Sequence, residues 1–276
     1  MNRQQLSHYG LKWNPFAADL PVEGLLATSA VNGFCGRIER QLVRQGGFAL
    51  VAGDPGTGKS VALRLLASRL GKADGLAVAV LAHPSSSNGD FYREMADLFG
   101  ITTLRSNIWA GFKALREHWH RHLEDTRMRP VLLVDEAQEM AAKVLTELRL
   151  LASTEFDSRA ILSVVLAGDA RLLAKLRSPE LQPVASRIRQ RLVMTGSDAR
   201  ELARLLDHLL DAAGNPGLMT PGLKEALVAH AAGNPRSLTI MADDLLLAGV
   251  EKNREVLDEK LFLEAMGEPD GKGQDE

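Results

Sequence analysis

The sequence has little cysteine and no long apolar run, and both absences narrow the classes of protein to which it can belong. Its single cysteine, Cys35, excludes an internal disulfide and a cysteine-based zinc site, and we expect it to be a small buried apolar side chain. No apolar run reaches the roughly 20 residues that a membrane-spanning helix needs, and the first ten residues are polar. These features predict a cytoplasmic protein.

An excess of charge of one sign is also lacking. The 33 lysines and arginines nearly balance the 35 aspartates and glutamates, which gives a net charge of -2. This balance excludes a surface coated with basic charge, so any contact with nucleic acid has to be confined to a local patch. What the sequence does have is 276 residues of which 45% are hydrophobic, enough for one or two domains with buried cores.

The pattern along the chain predicts four zones. Residues 1–33 mix prolines and glycines with scattered apolar residues, so we expect an N-terminal arm that packs on the adjoining domain. Residues 34–196 alternate short apolar runs with helical patterns, which predicts an α/β domain. Residues 197–266 show only helical periodicity and predict a small all-helical lid domain, whereas the polar residues 267–276 are expected to be disordered.

The apolar runs of the second zone predict a parallel sheet, because strands that are apolar throughout are buried on both faces. These runs are Phe48 to Ala52, Leu76 to Leu81, Val131 to Val134 and Ile161 to Ala167. A fifth strand is expected in the apolar stretch that follows the arginines of SRIRQRLVM, Ser186 to Met194.

The strongest motif is GDPGTGKS, which follows the first predicted strand and precedes a helical pattern. It fits the P-loop pattern completely, whereas a chance glycine-rich turn rarely has both the strand and the helix in register. Its backbone N–H groups and the following helix N-terminus predict a cradle for phosphates. Lys59 is expected to reach the β- and γ-phosphates of ATP, and the Ser60 hydroxyl to bind Mg²⁺. The predicted nucleotide-binding residues are Gly53, Asp54, Pro55, Gly56, Thr57, Gly58, Lys59, Ser60, Val61 and Asp135.

A second motif, VLLVDEAQEM, is a buried strand that ends in two carboxylates. The strand brings them to the carboxyl edge of the sheet, where such sheets bind ligands. Asp135 is expected to hold Mg²⁺ and Glu136 to act as the general base on the attacking water. Taken alone, the same two acids are equally consistent with a helix N-cap.

The P-loop, the VDEAQ strand end and a later strand ending in LAGD resemble the AAA+ ATPases. Within them the chain is similar to the ExeA-like and TnsC/TniB-like bacterial group, and its opening segment HYGLKWNPF resembles the start of ExeA-like proteins. The resemblance implies a P-loop AAA+ sheet sandwiched by helices, a helical lid, ATP hydrolysis and assembly into a homo-oligomeric ring or filament.

The resemblance also assigns three roles by position. Asp169 stands where relatives carry a polar sensor residue, although an aspartate there either needs a nearby cation or acts only as a turn former. Arg187 fits the position of an arginine finger that acts on the neighbouring subunit, with Arg189 and Arg191 as alternatives; these arginines could also simply compensate a helix dipole. Arg236, which opens a helix after Gly-Asn-Pro, resembles the second sensor, unless it faces solvent.

Two weaker features remain. The helical pattern Gly111 to Arg129 carries His118, His120 and His122, which predicts a solvated face rather than a metal site because His120 lies off the face that the other two share. The loop His83 to Met95 could line the pore of a ring. The basic and polar residues near it are the candidate DNA contacts: Arg105, Asn107 and Lys113.

Three functions are consistent with these residues and the resemblance. The first is an ATP-dependent, double-stranded-DNA-binding ATPase that recruits or regulates a transposase or integrase, favoured because the sequence stops after the lid. The second is an ExeA-like ATPase that serves secretion-complex assembly. The third is a nucleotide-gated scaffold with weak hydrolysis, which the aspartate at position 169 keeps open.

Overall fold

A computed structural model describes residues 1–82, 84, 87–101, 108–154 and 159–267. The strands are β1 (Gly47–Gly53), β2 (Leu76–Leu81), β3 (Arg129–Val134), β4 (Ser153–Thr154), β5 (Arg159–Ala160), β6 (Ser163–Gly168) and β7 (Ile188–Met194). The α-helices are α1 (Arg3–His8), α2 (Ser29–Arg37), α3 (Val43–Gln45), α4 (Lys59–Gly71), α5 (Asn88–Leu98), α6 (Ile108–Arg121), α7 (Ala142–Ala152), α8 (Ala170–Leu176), α9 (Gln182–Ala185), α10 (Ala199–Ala213), α11 (Pro221–His230), α12 (Pro235–Glu251) and α13 (Glu259–Gly267). Short 3₁₀ turns cover Val22–Gly24, Ala137–Glu139 and Pro179–Leu181, and π turns cover Ile38–Leu42 and His122–Thr126.

The residues fall into two units. The α/β unit contains Ala27–Pro55 and Lys59–Thr195. The helical unit contains Met1–Leu26, Gly56–Gly58 and the chain from Gly196 onward.

The α/β unit is built on a five-stranded sheet in the order β2-β3-β6-β1-β7, with every adjacent pair parallel. The three inner strands are almost wholly buried, as their unbroken apolar sequences predict. Helices cover the sheet. The parallel α/β fold class and the helical C-terminal region predicted from the sequence are therefore confirmed.

The core of the α/β unit consists of inward-facing side chains of the sheet and of α5, α6 and α7. Phe48, Phe91 and Trp119 are among the largest side chains in it, and each is almost completely buried. On α6, Leu115 and Trp119 lie one helical turn apart and face the sheet, which accounts for the amphipathic pattern of that segment.

The edge strand β7 differs from the sequence prediction. The apolar stretch alone was expected to be the strand, but β7 starts at Ile188, so Arg189 and Arg191 lie within it. An edge strand buries only part of its surface, and charged residues on it oppose pairing with other chains. Alternating burial along β7 reflects this position.

The helical unit contains α10 to α13 together with the N-terminal segment. Helix α10 begins at a capping box: the Asp198 carboxylate accepts a bond from Glu201 N at 2.7 Å, and the Glu201 carboxylate accepts one from Asp198 N at 3.1 Å. The segment is tied to this unit because Lys12 N donates to Ala213 O at 2.8 Å and the Asn14 side chain donates to Asp243 at 2.7 Å.

Gly46 is a position where both backbone conformation and space require glycine. It has φ +67°, and a Cβ there would overlap the Cβ of Ala160 on β5. Gly75 has a similar φ of +77°, but the nearest atom to a Cβ there is a carbonyl oxygen at 3.7 Å. We therefore expect Gly46→Ala to lower the free energy of unfolding by about 3 kcal/mol and Gly75→Ala by about 1 kcal/mol.

Urea denaturation of the two variants measures this difference. Gly75→Ala reports the strain of the backbone conformation alone. Equal losses in the two variants would contradict the close packing of Gly46 against β5.

Candidate active site

The loop between β1 and α4 joins a buried strand directly to a helix N-terminus. β1 ends at Gly53 and α4 begins at Lys59. Gly56 has φ +85° and Gly58 has φ +96°, a conformation that glycine adopts without strain. Unpaired N–H groups at a helix N-terminus, together with the helix dipole, make such a loop a binding site for anions. The loop fits a polyphosphate.

Lys59 lies inside this loop and is only 6% exposed. Its Nζ donates to Gly53 O at 2.9 Å and to Asp54 O at 3.1 Å, so two of its three protons are satisfied by neutral carbonyls. A buried ammonium without an anion is costly, and the charge is therefore available to one that enters the loop. No carboxylate pairs with Lys59 among the described residues.

Ser60 and Asp135 offer the oxygen ligands that Mg²⁺ prefers. Ser60 is the second residue of α4, and Asp135 follows the last residue of β3. Asp135 N donates to Leu81 O on the neighbouring strand at 3.0 Å, and its Oδ1 accepts a bond from Glu136 N at 2.9 Å. The pair of residues thus fits a magnesium–nucleotide complex by its chemistry.

Glu136 has a left-handed backbone conformation with φ +49° and ψ +39°. For a non-glycine residue this conformation costs on the order of 1–3 kcal/mol, and such residues cluster at functional sites. Its carboxylate accepts a hydrogen bond from Nε2 of Gln138. Gln138 is only 5% exposed, and its Oε1 accepts a bond from Asp169 N at 3.3 Å.

The Asp169 carboxylate is engaged by Arg171. Asp169 is the N-cap of α8: its Oδ1 accepts from Arg171 N at 2.8 Å, and its Oδ2 accepts from Arg171 Nε at 2.9 Å. Burial raises the pKa of Asp169, but the hydrogen bonds and charge of Arg171 and the charge of Lys59 outweigh it and hold that pKa below its ordinary value. The cation that an aspartate beside phosphates requires is therefore present, and Arg171 also pairs with Glu139 at 2.9 Å.

Reasoning from the sequence missed two residues that shape the site. Lys175 Nζ donates to Gln138 O and to Met140 O, both at 2.6 Å, and so fixes the 3₁₀ turn that carries Gln138. Gln138 itself is the only uncharged polar residue of VDEAQEM, and that was the available signal for it. Both partners of Lys175 lie 35 or more residues away in the sequence, and no spacing rule indicates these contacts.

The candidate arginine fingers lie around the start of β7. Arg187 precedes β7 and donates to Pro183 O at 2.5 Å. Arg189 donates to the Gln45 side chain at 2.9 Å. β1 and β7 pair in parallel, from Phe48 with Ile188 to Gly53 with Met194. Arg187 is therefore at the amino edge of the sheet, opposite the edge at which the P-loop lies.

Arg236 lies in the first turn of α12, in the helical unit. The side chain of the N-cap Asn234 accepts bonds from Arg236 N at 2.9 Å and Ser237 N at 3.4 Å. In the same unit a Cβ on Gly56 would overlap the Asn234 amide and lie 3.0 Å from the Arg236 Cβ. Arg236 is thus next to the first glycine of the loop.

The candidate DNA contacts Arg105 and Asn107 lie outside the described residues, as do His83, Ser85 and Ser86 of the adjoining loop. Lys113 is described. It is exposed on α6 and forms a 3.7 Å ion pair with Glu117, one helical turn away.

The histidines of α6 and the turn after it were expected on a solvated face. His118 and His122 are instead half-buried and lie with ring centroids 4.1 Å apart, as their i, i+4 spacing predicts. They line a cavity of about 150 Å³ with Phe99, Trp119 and Pro130, and burial lowers the pKa of His118. Within the described residues no group of three or more His, Cys, Asp or Glu side chains is arranged to hold a metal ion.

Two further expectations concern Cys35 and membrane-spanning helices. Cys35 is fully buried, and burial raises the pKa of its thiol, as expected for a side chain of the core. None of the helices in the described part of the chain has the length and apolar character that crossing a bilayer requires.

Comparison with known proteins relates the chain to a protein family and to a curated secretion protein. Residues 41–176 match the family model described as AAA domain. General secretion pathway protein A of Aeromonas hydrophila is 32% identical over 206 residues, which cover 74% of this chain and 37% of that protein. The chain therefore spans little more than a third of the length of this relative.

Solved structures share the fold at low sequence identity. The ORC2 protein of Aeropyrum pernix, solved as ADPNP–ADP complexes, has a TM-score of 0.71 at 17% identity over 92% of this chain and 71% of that one. The ORC1 protein of the same organism, in complex with DNA, has a TM-score of 0.71 at 18% identity over 92% of this chain and 68% of that one.

Proposed function

We propose that the chain binds ATP with Mg²⁺ and hydrolyses it, because residues 41–176 match the family model described as AAA domain and the ORC2 structure solved as ADPNP–ADP complexes shares its fold. The observation that carries this proposal is the buried Lys59 ammonium inside an anion-binding loop. The carboxylates of Asp135 and Glu136 stand at the carboxyl end of β3, at the same edge of the sheet. Phosphate binding and proton acceptance are thus available at one edge.

In the proposed reaction a water oxygen attacks the γ-phosphorus, the bond to the β–γ bridging oxygen breaks, and one water proton must be removed. Glu136 accepts that proton, and Lys59 stabilises the charge on the phosphates. Ser60 and Asp135 would hold Mg²⁺, which supplies further stabilisation of phosphate charge. Arg236 acts as the second sensor.

We propose that Arg187 completes the site of a neighbouring subunit in a ring or filament. The geometry of the sheet supports action in trans: seven residues of β7 separate Arg187 from the P-loop edge, a distance of about 20 Å. An arginine side chain cannot span that distance within its own subunit. It can meet a partner's nucleotide where the two chains adjoin.

We further propose that the assembled ATPase binds double-stranded DNA and regulates transposition by recruiting a transposase or integrase. Support comes from the TnsC/TniB-like motifs, from the DNA complex of the ORC1 structure and from a cluster of arginines at the amino edge of the sheet. Arg129 donates to Arg44 O at 2.9 Å and Arg189 to Gln45, so their charges face neutral acceptors. A ring repeats such a patch and sums its phosphate contacts.

A second candidate function for the same proposed ATPase is the assembly of a secretion complex. The 32% identity to general secretion pathway protein A favours it. The two uses share the chemistry of nucleotide hydrolysis and differ in the partner, so DNA binding separates them.

The nucleotide chemistry predicts different defects for two variants. We expect Lys59→Ala to lose ATP binding, because it removes the buried cation of the loop. We expect Glu136→Gln to bind ATP as the wild type does and to lose at least about 100-fold in kcat, because the amide cannot accept the proton. Titration with a fluorescent ATP analogue and release of inorganic phosphate measure the two properties. Undiminished phosphate release by Glu136→Gln would remove Glu136 from the base role.

Action in trans predicts complementation between two inactive variants. Arg187→Ala should bind ATP without hydrolysing it, and an equal mixture with Lys59→Ala should recover about a quarter of the wild-type rate if subunits mix randomly. In the mixture the Lys59→Ala subunit supplies Arg187 to a neighbour that holds ATP. Arg177→Ala, an exposed arginine of the same unit, is the control and should retain activity. If Arg187→Ala stays active by itself while Arg189→Ala or Arg191→Ala is inactive alone and recovers in the mixture, the assignment moves to that arginine. A protein that stays monomeric with an ATP analogue would contradict action in trans.

DNA binding by the assembled protein should depend on ATP and fall steeply with salt, because phosphate contacts release counterions. Fluorescence anisotropy of a labelled duplex with an ATP analogue at several salt concentrations measures it. Lys113→Ala should weaken binding and flatten the salt dependence. Lys252→Ala, an ion-paired lysine of the helical unit, is the control. Absence of binding by assembled protein at low salt would favour the secretion-complex function.

A further inference from the structure

The Gln138 side chain connects the proposed general base to the end of a different strand. Its Nε2 donates to the Glu136 carboxylate, and its Oε1 accepts from Asp169 N at the end of β6. The NH₂ group and the oxygen of one amide therefore each have a partner. One partner follows β3 and the other follows β6.

The Gln138 amide is buried and closely packed. Gln138 is 5% exposed, and a Cβ on Gly168 would lie 2.6 Å from its Oε1. The main chain at Gln138 is fixed separately, since its carbonyl accepts a bond from Lys175 Nζ at 2.6 Å. A buried amide that is bonded at both ends and anchored at its backbone has one orientation open to it.

The orientation of the Gln138 amide determines which oxygen of the Glu136 carboxylate is free to accept a proton. An amide NH₂ group only donates, so it binds one carboxylate oxygen and leaves the other free to accept a proton. It also restricts the rotation of the Glu136 side chain, which is otherwise exposed. The Asp169 carboxylate is bonded to Arg171. The end of β6 is therefore linked to Glu136 by the backbone N–H of Asp169, which donates to the Gln138 side chain.

We propose that Gln138 is a positioning residue that fixes the Glu136 carboxylate for proton acceptance and couples it to the end of β6. This inference rests on the proposed ATPase function. It predicts that displacement of the β6 end, where Asp169 lies, changes the rate of hydrolysis without changing nucleotide affinity. A purely structural role for Gln138 predicts a loss of stability with no such selectivity.

The test compares Gln138→Met, which keeps the size of the side chain and removes both hydrogen bonds, with Gln138→Glu, which keeps an acceptor for Asp169 N and removes the donor to Glu136. Both variants should lose about 10- to 100-fold in kcat, with KM and the Kd for an ATP analogue within about 2-fold of wild type. Ser163→Ala is the control, since Ser163 is a buried polar residue of the same sheet that donates to Leu42 O. It should lose stability and keep kcat.

Two further measurements separate positioning from stability. In the Glu136→Gln background, Gln138→Met should cause no additional loss of turnover, because a residue that acts through Glu136 has no effect once that carboxylate is gone. Amide hydrogen exchange at Asp169 should be faster in Gln138→Met than in wild type and unchanged in Gln138→Glu.

A wild-type kcat in Gln138→Met, a loss that is additive with Glu136→Gln, or unchanged exchange at Asp169 would each overturn the inference while the ATPase proposal stands. Absence of ATP turnover in the wild-type protein would overturn the ATPase proposal and this inference with it. The two failures are therefore distinguishable.

Discussion

Parallel pairing of β1, β6 and β3 brings the ends of three chain segments to one edge of the sheet, and the candidate active site depends on that arrangement. The P-loop leaves β1, Asp169 follows β6 and the acid pair follows β3. β6 lies between the other two strands, so Asp169 is central in the row. The charge of Lys59 reaches the Asp169 carboxylate, and Gln138 binds the Asp169 backbone. Slippage of one strand would separate these groups.

The parts of this site that depend on neighbours in the sequence could be predicted from the sequence. Glycines at positive φ, a lysine at a helix start and two acids after a buried strand each have a local cause, and their positions agree with the structure. The hydrogen bonds of Gln138 and Lys175 could not be predicted, because they join the turn after β3 to β6 and α8. The extent of β7 was also missed, since its arginines mask the strand pattern and only its place at the sheet edge explains them. The attachment of the N-terminal segment through Lys12 and Asn14 has no local signal either.

The comparisons support conclusions about the fold more strongly than conclusions about the partner. Structures of 17% and 18% identity share the arrangement of the sheet and the helices, which is the part that packing determines. The 32% identity to a secretion protein covers 206 residues and leaves most of that protein unmatched. Partners are recognised by surface charges that packing does not constrain. The partner of this chain therefore has to be identified by binding measurements on its own surface.

The left-handed backbone at Glu136 determines which residue type the fold favours at this position. Glycine would adopt φ +49° without strain, so the fold alone favours glycine there, whereas proton acceptance requires a carboxylate. The chain thus keeps a strained carboxylate residue at the position proposed for its general base. In the proposed function this strain is the cost of placing a carboxylate where proton acceptance requires one.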